Sequence, residues 1–410
     1  MDTGDTAWVL ASSAMVLLMT PGLAFFYGGL VRTKNVLATL MQSFMAMAIV
    51  GVVWVLWGYS LAFGPDMGGG IIGDLSYFGL SGVSATDPGP YAKTIPHQTF
   101  MIFQAMFAII TPALVTGAFA ERIKFSAFVV FILLWTTIVY SPLAHWVWGQ
   151  GGWLGLGGWG ALDFAGGAVV HISSGFGALA AAIVCGRRLR HGVDAMDPHN
   201  IPFVVLGAGL LWFGWFGFNA GSALSSGGSA TVAFVATNTA GCVAALTWTV
   251  LAWQFNKKTS VVGTVSGAIV GLAAVTPASG YIGVMPAIAI GLVAGAVSFA
   301  AVRLRTRMRV DDSLDVWAVH GVGGMLGILA VGLFAGVGFM TLSAFALPDV
   351  DRMGQIVRQL GAIGVAAGWG FGMTWLILRL IKATIGLRVA EADEEKGLDM
   401  ALHGEAAYRS

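Results

Sequence analysis

Charged side chains are scarce in this chain of 410 residues: 10% of them are Asp, Glu, Lys or Arg, whereas 57% are hydrophobic and the mean hydropathy is +0.81. A soluble globular domain carries about 25% charged residues. The composition therefore excludes an ordinary soluble enzyme and indicates a polytopic membrane protein. A helix that crosses a bilayer needs about 20 apolar residues, so the chain has room for roughly ten to twelve crossings.

Cysteine is also rare, and both copies, Cys185 and Cys242, lie in apolar segments. This placement gives no support to a disulfide framework or a cysteine metal site. The net charge of +1 and the lack of a basic run outside short loops give no indication of a nucleic-acid partner. The residues up to Met19 lack the basic n-region of a signal peptide and contain Asp2 and Asp5 instead. We expect this apolar run to be kept as a first spanning helix.

Glycine, in contrast, is abundant, with 59 copies against an average usage of about 7%. In membranes small residues let helices approach closely, which predicts a compact bundle. Charges and turns divide the chain into eleven apolar segments. They lie at about 7–31, 36–63, 99–120, 125–146, 164–186, 201–222, 231–255, 260–278, 282–302, 315–336 and 356–382.

The basic residues predict the orientation, because cytoplasmic loops carry an excess of Lys and Arg. With the N-terminus outside, all of the 21 Lys and Arg residues except Lys93, Arg352 and Arg358 fall on the inner side. An even number of crossings would scramble this division. The bias therefore supports eleven helices with the N-terminus outside and the C-terminus inside.

Two stretches share a pattern: LDFAGGAVVHISSGFGAL at 162–179 and LDVWAVHGVGGMLGIL at 314–329. In each, an aspartate precedes a histidine, His171 or His320, that enters an apolar, glycine-rich run. A lone ionisable group within a membrane helix is costly unless it is satisfied or used. Either histidine alone could be a core residue bonded to a backbone carbonyl. Two at matched places favour a pair of neutral imidazoles that lines a dry pore or shares a proton.

The two stretches are the fifth and tenth apolar segments, which suggests two halves of opposite orientation. Such inverted repeats place a substrate site at their interface near the bilayer midplane. A chance match of short strings stays an alternative, because the aspartate–histidine spacing differs between the two. The predicted fold is an all-α membrane protein with eleven transmembrane helices, N-out and C-in, as a 5+5 inverted repeat plus an eleventh helix. We predict a transmembrane domain at 1–382 and a cytoplasmic tail at 383–410. The transmembrane domain has pseudo-repeats at about 7–186 and 201–336 and a final helix at about 356–382.

The aspartates of the two stretches, Asp163 and Asp315, stand directly before apolar helical runs. Aspartate at that position bonds backbone N–H groups and is favoured by the helix dipole. For Asp163 a structural and a chemical role stay open, whereas for Asp315 the cap is favoured. The polar tail favours a solvated, partly disordered end with local turns.

Aromatic side chains form a second group, in WFGWFGFNAGS at 212–222, in FQAMFAIITPAL at 103–114 and around Trp148. Most of the 15 Trp and 25 Phe residues are expected to pack in the core or face lipid. An aromatic cluster at an outer mouth can nonetheless bind a cation through its ring faces, at about 0.5–2 kcal/mol per ring.

Several long strings resemble the ammonium transporter (Amt/Mep/Rh) family, on the Amt side. They cover both halves and the tail: PGLAFFYGGLVRTKN (21–35), FQAMFAIITPALVTGAFAERIKF (103–125), LDFAGGAVVHI (162–172), GWFGFNAGS (214–222), VTPASGYIG (275–283), RVDDSLDVWAVHGVGG (309–324) and GLDMALHGEAAY (397–408). The resemblance implies a homotrimer in which each protomer has its own pore. The implied roles are Trp148, Phe107 and Ser222 as the outer cation-recruitment site, Phe107 and Phe218 as a stacked phenyl gate, Asp163 as an acid near that site, His171 and His320 as twin pore histidines, and Trp215 as a pore-wall aromatic.

The implied function is ammonium uptake across the cytoplasmic membrane, with no cofactor, resident metal or enzymatic reaction. Ammonium, or its analogue methylammonium, would be recruited at the outer site and deprotonated there. Ammonia would then pass through the pore, and in electrogenic members of the family the proton crosses separately.

Three alternatives stay open. One is an ammonium sensor or transceptor that acts through a PII-type signalling protein, for which Arg122, Arg187–Arg190 and the tail would form the docking surface. A second is a passive channel for ammonia, carbon dioxide or water. A third is an intramembrane metalloenzyme built on His171, His320 and Asp163, although no HExxH-like ligand spacing exists.

Overall fold

The computed structural model describes residues 1–336 and 351–408, and these residues form helices and loops with isolated bridges but no strand. Part of the connection after the tenth apolar segment and the last two residues of the tail lie outside the described residues. Within them, ten helices are long and apolar enough to cross a membrane, and a further apolar helix is shorter. In chain order they are α1 (Thr3–Leu30), α2 (Thr33–Phe63), α3 (His97–Phe119), α4 (Phe125–Trp148), α5 (Gly167–Cys185), α6 (Ile201–Gly221), α7 (Gly228–Asn256), α8 (Val261–Val275), α9 (Val284–Arg307), α10 (Trp317–Phe334) and α11 (Arg352–Thr384).

This all-helical architecture confirms the predicted fold class of a multi-pass membrane protein. The number of crossings and their orientation stay predictions. The short helix α8 ends three residues before the predicted segment does, because Pro277 follows. A proline lacks the N–H that a continuing helix requires.

The helices α5 and α10 both contain a π-helical turn at their beginning, at Gly167–Ile172 and Trp317–Gly321. These turns carry His171 and His320. Wider turns of this kind are rare and are frequent at functional sites. The two histidines therefore share a local backbone geometry that departs from the ordinary α-helix.

Small residues bring α5 and α10 into direct backbone contact. A Cβ atom on Gly175 would overlap the backbone nitrogen and Cα of Gly321, one residue after His320. A Cβ atom on Gly324 would lie 2.9 Å from the Cβ of His171. In a membrane, where lipid gives no hydrophobic drive for helix association, such close packing holds helices together.

The tail is folded against the body, unlike the partly disordered end expected from its composition. Its first residues exchange backbone hydrogen bonds with the segment after α3, from Lys124 N to Leu387 O (3.0 Å) and from Val389 N to Arg122 O (3.1 Å). Further on, α12 (Glu391–Lys396) and a π-helical turn (Asp399–His403) follow. We call the side of the protein on which it packs the tail face.

Candidate substrate path and its histidine pair

Aromatic and imidazole rings form a column inside the helical bundle. The ring of Trp148 meets Phe107 edge-on at 6.2 Å between centroids, and Phe107 lies 4.2 Å from Phe218. Phe218 stacks on His171 at 5.9 Å, and His171 stacks on His320 at 5.3 Å. The fold thus brings together five of the predicted site residues, which come from α3, α4, α5, α6 and α10.

Burial changes along this column. Phe107 and Phe218, the phenyl pair, are each 1% exposed, so that they close the way to the histidines. Trp148 and Ser222, next to the phenyl pair, are half-buried. We call this end of the column the mouth. The Ser222 hydroxyl donates to the carbonyl of Phe218 (2.8 Å), which places it one helical turn beyond that ring.

The histidine pair, His171 and His320, is joined through the Nδ1 atoms, which lie 3.3 Å apart. One ring must donate its Nδ1 proton to the other. In a neutral pair the donating ring then has a lone pair at Nε2, and the accepting ring has an N–H there. Among the described residues the Nε2 atom of His171 is buried without a hydrogen-bond partner. The pair can therefore offer one acceptor and one donor to a small molecule.

An apolar cavity lies beside the histidine pair and leaves about 20 Å³ for the centre of a water-sized molecule. Trp215 lines it, stacks on His171 at 5.6 Å, and donates its indole N–H to Thr276 Oγ1 (2.9 Å). Tyr27, which the sequence analysis did not single out, also lines it and donates its hydroxyl to Leu114 O (3.0 Å). A space of this size admits ammonia or water but no hydrated ion.

Asp163 lies at the start of α5 and is almost fully buried. Its Oδ1 atom accepts from the N–H groups of Gly166 (2.8 Å) and Gly167 (2.6 Å), and its Oδ2 atom accepts from Ala168 (2.7 Å) and Val169 (3.3 Å). The carboxylate thus satisfies donors that the first turn of a helix leaves unpaired. It is also close to the mouth, since Trp148 donates its indole N–H to the Asp163 carbonyl (2.9 Å).

The helix cap expected at Asp315 is wrong. Its carboxylate pairs with Arg305 (2.6 Å), and the cap is Asp312, whose Oδ2 accepts from Trp317 N (2.8 Å). Burial, with the charge of Asp315 adding to it, raises the pKa of Asp312 to about 6. The sequence held a signal for this residue, because Asp312 precedes His320 by the same eight positions that separate Asp163 from His171.

The basic residues proposed as a docking surface divide into two kinds. Arg187 and Arg190 are exposed, whereas Arg122 and Arg188 are buried. Arg122 donates to the carbonyls of Ala118 and Asp311, and Arg188 forms a bidentate pair with Asp311, from Nη2 to Oδ1 (2.8 Å) and from Nε to Oδ2 (3.1 Å). Since their guanidinium groups are used inside the protein, Arg122 and Arg188 are wrongly assigned to an open surface.

A metal centre finds no support in the described ranges 1–336 and 351–408, which contain no group of three or more His, Cys, Asp or Glu side chains that could hold an ion. Both carboxylate oxygens of Asp163 accept from the backbone of its own helix. What the fold does define is a multi-pass helical membrane protein with a narrow, ring-lined path for one small molecule.

Comparison with known proteins identifies the family. The sequence pattern of the Ammonium Transporter Family matches residues 7–408. An ammonium transporter of Bacillus subtilis is 49% identical over all of this chain and 99% of its own length. Among solved structures, Saccharomyces cerevisiae Mep2 is 37% identical with a TM-score of 0.86, covering 95% of this chain and 91% of that one. A protein described as a sensor Amt protein is 31% identical with a TM-score of 0.89, covering 98% of each chain. The chain belongs to the ammonium transporter family.

Proposed function

We propose that this protein takes up ammonium across the cytoplasmic membrane in an electrogenic process. The proposal rests on one arrangement above all: a half-open aromatic mouth, a closed phenyl pair and a histidine pair follow one another along a single path. In this proposal the N-terminus lies outside, the tail face is cytoplasmic, and residues 1–382 form the transport domain, with its inverted repeats at about 7–186 and 201–336.

The outer site collects the ammonium ion at Trp148, Phe107 and Ser222. The faces of the aromatic rings attract a cation, and the serine oxygen can accept one of its hydrogen bonds. No carboxylate is required at the mouth. A site of this kind selects a small cation that can both donate hydrogen bonds and approach an aromatic face.

Beyond the mouth, Phe107 and Phe218 form a gate that an ion cannot pass without losing its hydration. Transfer of an isolated ammonium-like charge to an apolar environment is very costly, and ionisable groups in such places become neutral instead. The ion therefore loses a proton at the gate. Neutral ammonia then crosses the apolar section along Trp215 and hydrogen-bonds with the imidazole nitrogens.

The histidine pair gives the proton a separate route. The proton lost at the gate is taken up at the Nε2 of His171, the ring next to Phe218, passed on through the Nδ1–Nδ1 hydrogen bond and released at the Nε2 of His320. Both rings then have the opposite tautomer and must return before the next transfer. Asp163 holds the first turn of α5 in place and has no part in the relay, because both of its oxygens accept from backbone N–H groups.

Currents recorded on a solid-supported membrane test the relay. Reconstituted protein should give a charge movement on addition of ammonium or methylammonium and none with K⁺. In His171→Ala the ammonium-evoked current should be lost, because no ring remains beside the gate to accept the proton and pass it to His320. The variant His199→Ala serves as the control, since that ring bonds the carbonyl of Val31 away from the path. An unchanged and equally selective current in His171→Ala would contradict the relay.

A sensor or transceptor is the second candidate function, favoured by the similarity to a sensor Amt protein and by the tail that is folded on the tail face. For either function we propose that the chain forms a homotrimer. In the sensor function a PII-type protein docks on exposed groups such as Arg187 and Arg190. Growth of a transport-deficient host on low ammonium separates the two functions, because a pure sensor would not restore it. A passive ammonia channel differs from both in that its flux does not depend on voltage.

A further inference from the structure

A third buried histidine lies on the mouth side of the path, and neither the gate nor the relay uses it. His145 is in the last turn of α4, three residues before Trp148, and its side chain is fully buried. Its Nδ1 atom lies 3.0 Å from the carbonyl oxygen of Ala62, at the end of α2. Its Nε2 atom lies 3.2 Å from Oδ1 of Asp66, in the loop that follows.

Both neighbours of this ring can only accept hydrogen bonds. A neutral imidazole has one N–H, so it satisfies either the Ala62 carbonyl or the Asp66 carboxylate and turns a lone pair toward the other. The doubly protonated ring has two N–H groups and satisfies both at once. The strength with which His145 holds its two partners therefore depends on its protonation.

Asp66 in turn shapes the loop after α2. Its Oδ2 atom accepts from the N–H groups of Gly68 (2.9 Å) and Gly70 (3.2 Å). Burial acts to raise the pKa of Asp66, but the hydrogen bonds from Gly70, His145 and Gly68 outweigh it, so that the pKa is lowered. The carboxylate is thus kept ionised as the partner of the ring.

The same loop holds the end of α4 that carries the mouth tryptophan. Trp146 donates its indole N–H to the carbonyl of Ile71 (2.6 Å). The chain reverses directly after Trp148, where Gly149 N donates to the carbonyl of His145 (2.9 Å). A Cβ atom on Gly149 would lie 2.5 Å from Nδ1 of His145, so the reversal is packed against the imidazole.

Other titratable side chains of this region bond elsewhere. Asp74 accepts from Ser76, Tyr91 donates to the carbonyl of Phe63, and His97 bonds the hydroxyl of Tyr59. Among the described residues, Asp66 is the charged group within hydrogen-bonding distance of His145. His145 consequently connects Asp66 and its loop to the end of α4.

We propose that His145 is a positioning residue for the outer ammonium site. It ties Ala62 and Asp66 to the last turn of α4 and so holds Trp148 edge-on to Phe107. Loss of this tie weakens the binding of ammonium, without a change in the steps beyond the gate. The inference rests on the proposed outer site.

The test measures how ammonium-evoked currents in proteoliposomes depend on the ammonium concentration. His145→Gln presents both amide protons on one nitrogen and cannot serve two partners on opposite sides. Its apparent KM should be several-fold above that of the wild type, with a maximal current within about twofold of the wild type.

Two further variants keep the test decisive. Asp66→Asn changes a partly exposed partner of the same contact and should also raise KM, even if His145→Gln does not fold. His97→Gln is the matched control, a buried histidine of the same side without a carboxylate partner, and it should keep the wild-type KM. A wild-type KM in both His145→Gln and Asp66→Asn overturns the positioning role.

The variant Trp148→Leu separates this inference from the proposed function. If Trp148→Leu leaves KM unchanged, the outer ammonium site itself is wrong, and the positioning role falls with it. If Trp148→Leu raises KM while His145→Gln and Asp66→Asn leave it unchanged, the outer site stands and only the role of His145 is overturned.

Discussion

At the scale of single residues, two buried carboxylates fix the direction of the two histidines. Asp163 and Asp312 each accept backbone N–H groups at the start of a helix, and each precedes its histidine by eight positions. Because the first turn is held by a side chain, the rotation of the helix about its axis is set, and so is the side on which the imidazole emerges. These aspartates position the histidine pair from a distance of two helical turns.

This capping role predicts the effect of Asp163→Asn. An amide has one acceptor oxygen, and its NH2 group would face N–H donors, so at least one buried N–H is left without a partner. Such a loss costs about 1–3 kcal/mol. We expect a lower melting temperature in detergent together with loss of ammonium current. An acid that acted only on the proton of ammonium would give a loss of current with an unchanged melting temperature, and that outcome would contradict the capping role.

At the scale of helices, the contact between α5 and α10 decides whether the two histidines meet. The backbones touch at Gly175 and Gly321, and His320 directly precedes the latter. A side chain at this crossing would separate the helices. The 3.3 Å distance between the two Nδ1 atoms therefore depends on residues that carry no chemistry themselves.

Gly175→Ala tests this dependence. The added methyl group would overlap the backbone of Gly321, and overpacking in a well-packed core costs about 1–3 kcal/mol. We expect reduced thermal stability and a reduced ammonium current, because the hydrogen bond between the histidines is lengthened. Gly364→Ala is the matched control, since a Cβ atom there meets nothing within 4 Å. Equal currents in the two variants would argue against the glycine contact.

At the scale of the whole molecule, a buried ionic network joins distant parts of the chain at the tail face. Glu121, after α3, accepts from Arg32, after α1 (2.9 Å), and from Arg188, after α5 (3.3 Å). Arg188 also pairs with Asp311, which precedes α10. Burial acts to raise the pKa of Asp311, but the hydrogen bonds and charge of Arg188 outweigh it and lower the pKa to about 2. The network connects the ends of helices from both sequence halves.

Asp311→Asn should destabilise the protein by about 3–5 kcal/mol, the usual effect of breaking a buried ion pair. Asp194→Asn removes an exposed partner of Arg190 and should leave the melting temperature almost unchanged, because water screens an exposed ion pair. Because the pKa of Asp311 is depressed on folding, its contribution is present above the ordinary value of 3.8 and is lost as pH falls toward about 2. The difference in melting temperature between wild type and Asp311→Asn should thus shrink in this acid range. A difference that stays constant down to pH of about 2 would contradict the assignment.

The sequence predicted much of the path but not the support around it. Trp148, Phe107, Phe218, His171 and His320 were all named from their motifs, and the fold brings their rings together. The second cap was assigned to the aspartate directly before the apolar run, although the eight-position distance to the histidine indicates Asp312. In the structure Arg305 draws Asp315 away from the backbone.

The amino-acid sequence by itself determined the class of protein, the positions of most helices and the identity of the rings that form the path. These follow from the lengths of the apolar runs, from the rarity of charge between them and from motifs that are local in the chain. Only the tertiary structure decided that His171 meets His320, that Arg122 and Arg188 are buried, that the tail is folded, and that His145 faces two acceptors. Each of these depends on residues from helices and loops far apart in sequence, which come within hydrogen-bonding distance only when the helices pack.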